Sequence, residues 1–78
     1  MNPRVKAVEP IIDFRLKLTF NNDEKRVFDV KPYLNFGVFQ ELKDISNFYS
    51  VKPFNGTVMW NNEIDFCPDT LYLESTTI

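Results

Sequence analysis

The sequence predicts a small α+β domain with two layers: a three-stranded antiparallel meander, a short helical middle, a second β-hairpin and a short C-terminal helix. Three observations predict this fold. Apolar residues alternate at period two near the N-terminus, they recur at spacings of three and four in the middle, and an Asn-Gly pair separates two later apolar segments. The chain has 78 residues, of which 44% are apolar and 15% aromatic, with two glycines. This composition is typical of one packed domain, residues 1–78.

The N-terminal third predicts three sequential strands. The segment RVKAVEP is the first, with Val5, Ala7 and Val8 as its apolar members, and Pro10 is expected to end it. The second strand, in IIDFRLKLTF, alternates apolar and polar residues, which indicates one buried and one wet face. Its apolar positions are Ile12, Phe14, Leu16, Leu18 and Phe20. Residues 21–24, NNDE, predict a tight turn, and KRVFDV predicts the returning strand.

The middle of the chain predicts two short helical pieces after Pro32. Its large apolar residues recur at helical spacing: Val38, Phe39, Leu42, Ile45, Phe48 and Tyr49. Asp44 is suited to cap the N-terminus of the second piece, because its carboxylate can accept a hydrogen bond from the backbone of the first turn.

The C-terminal part predicts a hairpin followed by a helix. Asn55-Gly56 favours a tight turn in which both residues have positive φ, and residues 57–60 form the better of the two strands. Ile64 and Phe66 are expected to point inward. Pro68 suits the first turn of a helix whose surest buried residue is Leu71. Residues 76–78 are expected to fray.

Charge and composition exclude several classes of site. The net charge is −2 and the pI about 4.9, which makes nucleic acid an improbable partner. Residues 1–31 carry seven basic and five acidic residues, a net of +2, and residues 32–78 carry two and six, a net of −4. The absence of His and the single cysteine, Cys67, exclude His-based catalysis, an intramolecular disulfide and a paired-cysteine zinc site. We expect no cofactor.

The apolar runs are too short for a signal peptide or a transmembrane helix. The first ten residues, MNPRVKAVEP, contain no apolar run, and later runs extend over only a few residues. We therefore expect a cytoplasmic protein that does not associate with a membrane.

The order of these elements resembles the bacterial family catalogued as domain of unknown function 2442, over residues 4–72. The most specific features are Trp60, then Asp65 five residues later, then Pro68 and a short helix. The chain departs from the family pattern where Asp23 and Glu63 stand at positions that usually hold Gly, and where Cys67 replaces a capping Asp or Ser. The resemblance implies a small α+β domain without an established activity.

The same resemblance implies a partner module. Some members carry a helix-turn-helix after this domain, and others are encoded beside small proteins suspected of being toxins. The resemblance therefore implies an antitoxin-like role for this chain, and direct DNA binding by a helix-turn-helix is not carried over.

Two residues, Trp60 and Asp65, are the candidate site. In a functional interpretation they contact a ligand or a partner, as a large amphipathic ring beside a carboxylate. In a structural interpretation, which we favour, Trp60 closes the core and Asp65 accepts backbone N–H bonds that fix the turn into the last helix. Cys67 near a helix N-terminus invites interpretation as a nucleophile, but Asp65 and Asp69 oppose thiolate formation.

The sequence thus predicts a non-enzymatic protein–protein interaction module. Its partner is another protein or a second copy, bound through a sheet edge or the aromatic segment of residues 33–49, and a basic partner surface would suit the acidic C-terminal half. The alternative is a regulatory domain that binds a small ligand or nucleic acid.

Overall fold

The computed structural model describes residues 2–61 and 63–77 and confirms the α+β fold. The main sheet has the strand order β1-β2-β3-β6, and β4 pairs with β5 in a separate hairpin. The strands are β1 Val5–Ile11, β2 Arg15–Phe20, β3 Lys25–Asp29, β4 Lys52–Phe54, β5 Thr57–Met59 and β6 Thr76–Thr77. The helices are two 3-10 helices, Lys31–Tyr33 and Gly37–Lys43, and two α-helices, α1 Ile45–Phe48 and α2 Pro68–Leu73.

The three-stranded meander follows the alternation of the sequence from Arg15 onward. Leu16, Leu18 and Phe20 of β2 are fully buried, whereas the residues between them are only partly buried. Leu16 lies opposite Phe28 of β3, which is also buried, so one face of the sheet forms the core.

The prediction that the second strand begins at Ile12 was wrong. Ile12 is 71% exposed and lies in the connection between β1 and β2. Asp13 and Phe14 follow it with φ values of 63° and 54°, so the backbone leaves the extended region here. The alternation continues through this turn in the sequence, but the positive φ values interrupt the pleat, and Ile12 does not share the buried face of β2.

The sequence predicted that Pro10 ends the first strand, and this prediction was wrong. Pro10 lies inside β1 and is paired with Leu16 of β2. β1 is an edge strand of its sheet, so the missing N–H of proline is compatible with its place in the ladder.

The middle segment forms two short helical pieces, as predicted, but the first is a 3-10 helix. Asp44 is the N-cap of α1, and its carboxylate accepts a hydrogen bond of 2.9 Å from the N–H of Ser46, which confirms the capping role. Of the apolar residues at helical spacing, only Leu42 and Phe48 are buried. Phe39 packs against the core and is partly buried, whereas Val38, Ile45 and Tyr49 lie on the sides of these short pieces that face solvent.

The second hairpin and the last helix agree with the sequence. Asn55 and Gly56 have φ values of 48° and 84°, α2 begins at Pro68, and Leu71 is fully buried. The prediction of a frayed end was wrong for Thr76 and Thr77, which form β6 and pair with β3. Position 78 of that prediction lies outside the described residues. Thr76 and Thr77 are held in the sheet by side-chain hydrogen bonds between β3 and the end of α2, which are described below.

An aromatic cluster joins the two layers. Phe66 is at its centre, with ring centroids 5.1 Å from Phe28 of the sheet, 4.8 Å from Phe39 and 5.8 Å from Trp60. Phe14 packs edge-on against Phe48 at 5.2 Å, which ties the connection between β1 and β2 to α1. Such aromatic pairs add to the stability gained from burial, and here they hold the short helical pieces against the sheet.

Candidate functional site

Trp60 is a core residue in this fold. It is 1% exposed, and its indole N–H donates a hydrogen bond of 2.9 Å to the carbonyl of Phe48. The bond joins the end of β5 to α1 and satisfies the only polar atom of the ring. A side chain buried to this extent does not present a surface to a ligand or partner in this conformation.

Asp65 lies on the surface, and its carboxylate makes no hydrogen bond or ion pair with the described residues. Its backbone forms an isolated antiparallel bridge to Met59. Other groups hold the turn before α2. The hydroxyl of Thr57 donates a hydrogen bond to the carbonyl of Phe66 at 2.6 Å, and the backbone N–H of Trp60 donates to the carbonyl of Ile64 at 2.9 Å. The Asp65 carboxylate therefore forms no backbone clamp with any residue that the structure describes, and its role in an interaction stays a prediction.

The two positions at which the resemblance implies glycine both have positive φ. Asp23 has φ 68° and Glu63 has φ 66°. Glycine adopts this region without the steric cost that a Cβ brings, whereas Asp tolerates it moderately and Glu poorly. The structure thus gives the physical reason for glycine at these sites, and this chain accepts a strained backbone at Glu63.

Cys67 is exposed at the N-cap of α2 and makes no side-chain capping hydrogen bond. The backbone N–H groups of Thr70 and then Asp69 face the sulfur and lower the pKa of the thiol, while the nearby Asp69 carboxylate opposes that effect. These N–H groups suit an N-cap side chain with an oxygen that accepts hydrogen bonds, as Asp and Ser have.

An apolar patch lies on the helical middle segment. We use this name for the side chains of Phe36, Val38, Ile45 and Tyr49, which are 65%, 59%, 56% and 48% exposed. Ile45 and Tyr49 are four residues apart on α1 and its C-cap, so they share one side of that turn. Among the described residues, four of the seven large apolar side chains that are exposed lie in this one segment, and this concentration makes it the candidate interaction surface.

Four acidic residues border the same segment and form an acidic rim: Glu41, Asp44, Glu63 and Asp65. All four are exposed. The loop that carries Glu63 and Asp65 is held beside the helical segment at two points. The N–H of Asn61 donates to the hydroxyl of Ser50 at 3.2 Å, and the ring of Phe66 stacks on Phe39 at 4.8 Å.

The two layers differ in how their charges are neutralised. The ion pairs among the described residues all lie within the N-terminal segment, and they join Lys6 to Asp23 at 2.7 Å, Arg26 to Glu24 at 3.1 Å and Lys31 to Asp29 at 3.5 Å. The acidic residues after position 31 form no ion pair with any described residue. Residues 5–29 build the meander and later residues build most of the opposite layer. The unequal charge of the two halves of the sequence therefore becomes a difference in charge between the two layers.

A polar latch connects the turn between β2 and β3 to the C-terminal segment. The guanidinium of Arg26 donates to the hydroxyl and the carbonyl of Ser75 at 2.8 and 2.9 Å, and it lies 4.5 Å from the ring centre of Tyr72. Glu24 accepts hydrogen bonds from Arg26 and from the hydroxyl of Tyr72, the latter at 2.7 Å. Glu24 and Arg26 are 46 or more positions from Tyr72 and Ser75 in sequence, and no local pattern indicated the contact between the two segments.

The latch shifts the protonation of its two acidic groups in opposite directions. The hydrogen bond from Tyr72 lowers the pKa of Glu24, assisted by the amide of Asn22 and by Arg26. The same bond raises the pKa of Tyr72, because losing its proton would leave two negative groups together. Elsewhere in the meander, the ammonium of Lys6 lowers the pKa of Asp23 through a direct hydrogen bond.

The outer face of the meander carries a shallow depression of about 250 Å³. It is lined by Ala7, Val8, Glu9, Lys17, Thr19 and Lys25. The ammonium groups of Lys17 and Lys25 make no hydrogen bond or ion pair with the described residues. The depression is therefore a mildly basic surface on the layer opposite the acidic rim.

Two further properties concern the described part of the chain. Within residues 2–61 and 63–77, no three His, Cys, Asp or Glu side chains converge in a way that could hold a metal ion. In the same residues, no helix has the length and apolar character needed to cross a membrane.

Comparison with known proteins identifies a family. A search of curated proteins and a search of solved structures each found no match. The model of one family, described as "Protein of unknown function (DUF2442)", matches residues 5–77, from the start of β1 to the end of β6. Since the match spans nearly the whole fold described above, this chain belongs to the DUF2442 family.

Proposed function

We propose that this chain is a non-enzymatic protein–protein interaction module of the cytoplasm, and that it binds its partner through the apolar patch. The exposure of Phe36, Val38, Ile45 and Tyr49, each between 48% and 65%, is the observation that supports the proposal. Removing apolar surface from water favours association by about 25 cal/mol per Å² before the costs of binding are subtracted. A partner that covers these side chains would therefore gain much of its binding free energy there.

The more specific form of the proposal is an antitoxin-like role, in which the partner is a toxin-like protein encoded beside this chain. The family resemblance supports this form, because some of its members are encoded next to small proteins suspected of being toxins. Binding by surface complementarity would block the partner without any chemical step. This agrees with a surface that offers apolar contact area and unpaired acidic groups.

Co-expression with the protein of the neighbouring gene tests the proposal. We expect a complex that survives affinity purification and an increase in the growth of cells that express the partner. The double substitution Val38→Ser and Ile45→Ser should abolish the complex, because both side chains face solvent and neither belongs to the core. Leu73→Ser, which removes a 64% exposed apolar side chain from α2, is the matched control and should bind normally.

The proposal fails if no complex forms, or if Leu73→Ser weakens the complex as much as the double substitution does. Circular dichroism and a urea titration of each variant should show unchanged folding. A loss of binding can then be assigned to the surface.

The alternative is a regulatory domain that binds nucleic acid or a small anionic ligand. The depression on the outer face of the meander favours it, since Lys17 and Lys25 are unpaired cations beside the hydroxyl of Thr19. A labelled single-stranded RNA or DNA should then bind with strong salt dependence, and Lys17→Gln with Lys25→Gln should remove the binding. If neither nucleic acid binds at low salt, the nucleic-acid form of this alternative is excluded.

A further inference from the structure

We propose that the partner bound at the apolar patch is a basic protein segment, which places apolar side chains on the patch and Lys or Arg side chains against the acidic rim. The inference rests on the proposed function and adds the chemistry of the partner.

The first step is that the rim carries negative charge without a counter-charge. Glu41, Asp44, Glu63 and Asp65 are all exposed, and none forms an ion pair with a described residue. In the sheet layer, by contrast, three of the five acidic residues, Asp23, Glu24 and Asp29, each have a cationic partner within 4 Å. A bound cationic group would therefore meet carboxylates that have no cationic partner among the described residues.

The second step is that the rim and the patch belong to one surface. Glu41 and Asp44 lie between Val38 and Ile45 along the chain, in the segment formed by the second 3-10 helix and α1. The loop with Glu63 and Asp65 is fixed to that segment by the stacking of Phe66 on Phe39 and by the bond from Asn61 to Ser50. The patch and the rim therefore belong to the helical segment and to the loop that is held against it.

The third step is that this charge selects among occupants. Phosphate groups of a nucleic acid would be repelled by the rim, whereas a segment with Lys or Arg beside apolar residues is complementary in both respects. Lys43 is the one basic side chain in residues 37–48, and it is the sequence neighbour of Asp44. The other three rim residues have no basic neighbour in the sequence. Exposed charge pairs contribute little each and are screened by salt, so they affect specificity and association rate more than total affinity.

The test uses a fluorescently labelled amphipathic peptide of Leu and Lys, and a second peptide in which Glu replaces every Lys. We expect the basic peptide to bind and the acidic one not to. The double substitution Glu63→Gln and Asp65→Asn should weaken the basic peptide about fivefold at low salt, from two exposed charge pairs, and this difference should vanish at high salt. Both side chains lack hydrogen bonds with described residues, so the variant should fold like the parent.

The matched control is Glu9→Gln, which removes an exposed acidic residue from β1 on the sheet layer and should leave binding unchanged. Equal binding of the basic and the acidic peptide overturns the inference, as does an equal loss in the Glu9→Gln variant. A single-stranded RNA that displaces the basic peptide also overturns it. If sedimentation shows a dimer that the Glu63→Gln, Asp65→Asn variant disrupts, the occupant is a second copy and the inference is wrong.

Failure of this inference is distinguishable from failure of the proposed function. If the basic peptide does not bind but the co-expressed partner still does, and Val38→Ser with Ile45→Ser abolishes that complex, the patch binds a partner of another charge. If the double apolar substitution leaves both complexes intact, the patch itself is not the interaction surface.

Discussion

The two layers of this domain are stabilised in different ways. In the meander, β2 places Leu16, Leu18 and Phe20 on one face, and long backbone ladders fix their register against the neighbouring strands. In the opposite layer, helices of three to seven residues have few backbone bonds of their own. They are held by aromatic contacts and by single polar ties, such as the indole of Trp60 on the Phe48 carbonyl.

The comparison teaches that the first layer is encoded locally and the second is assembled by distant contacts. A strand in which apolar and polar residues alternate has one apolar face that favours burial, whatever its neighbours are. Isolated helices shorter than about 12 residues are marginal in water, so the short pieces depend on packing against the rest of the chain. The less regular layer also carries most of the large apolar side chains that are exposed among the described residues, which is consistent with function residing away from the regular scaffold.

The largest expected effect comes from removing the central ring of the second layer. Trp60→Ala should cost about 3–5 kcal/mol, since it leaves a cavity and an unpaired Phe48 carbonyl. A domain of 78 residues has a free energy of unfolding of roughly 4–12 kcal/mol, so the variant should be unfolded or nearly so. Urea denaturation followed by circular dichroism measures this. Tyr49→Ala, at 48% exposure, is the control, and an equally large loss there would contradict the assignment of Trp60 to the core.

The next effect tests whether the polar latch, and not the two-residue ladder, holds β6. Arg26→Lys cannot reproduce both hydrogen bonds to Ser75, and we expect a loss of about 1–3 kcal/mol. Amide hydrogen exchange of Thr76 and Thr77 should accelerate more than that of Leu18 in β2. Lys25→Gln, at the exposed neighbouring position, should leave exchange unchanged. Equal acceleration throughout the sheet would show global destabilisation and contradict a local latch.

A smaller effect, in the stabilising direction, should come from relieving backbone strain. Glu63→Gly should raise the free energy of unfolding by about 1 kcal/mol, because glycine adopts a φ of 66° without steric cost. Glu41→Gly makes the same change inside a 3-10 helix and should destabilise by about 0.5–1 kcal/mol. Urea midpoints of both variants measure the difference. A loss of stability in Glu63→Gly would mean that the side chain contributes more than the strain costs.

The smallest effect concerns pH. The pKa of Glu24 is lower in the folded chain than its ordinary value of 4.5, so its contribution to stability is present above that pH and is lost as the pH falls through the folded value. Glu24→Gln should therefore flatten the decrease in stability with acid below pH 4.5. Thermal unfolding across that range measures it. Asp69→Asn on α2 is the control, and the same flattening there would assign the acid sensitivity to general charge repulsion.

Local sequence chemistry determined much of the fold. The alternation from Leu16 to Phe20, the positive φ values of Asn55-Gly56, the Asp44 cap and the start of α2 at Pro68 all agree with the structure. Each depends on groups within a few residues of one another, so the sequence contains its cause directly. The same holds for the unequal charge of the two halves, which is a property of composition.

Only the tertiary structure decided which of these residues meet across the chain. It placed Ile12 in a turn, drew residues 76 and 77 into the sheet through Arg26, and left the Asp65 carboxylate in solvent where a backbone clamp was expected. It also left Ile45 and Tyr49 uncovered despite their helical spacing. The physical reason is that burial and pairing depend on which distant surfaces come together when loops close. Periodicity indicates that a helix or strand has an apolar face, but it does not indicate whether another element covers that face.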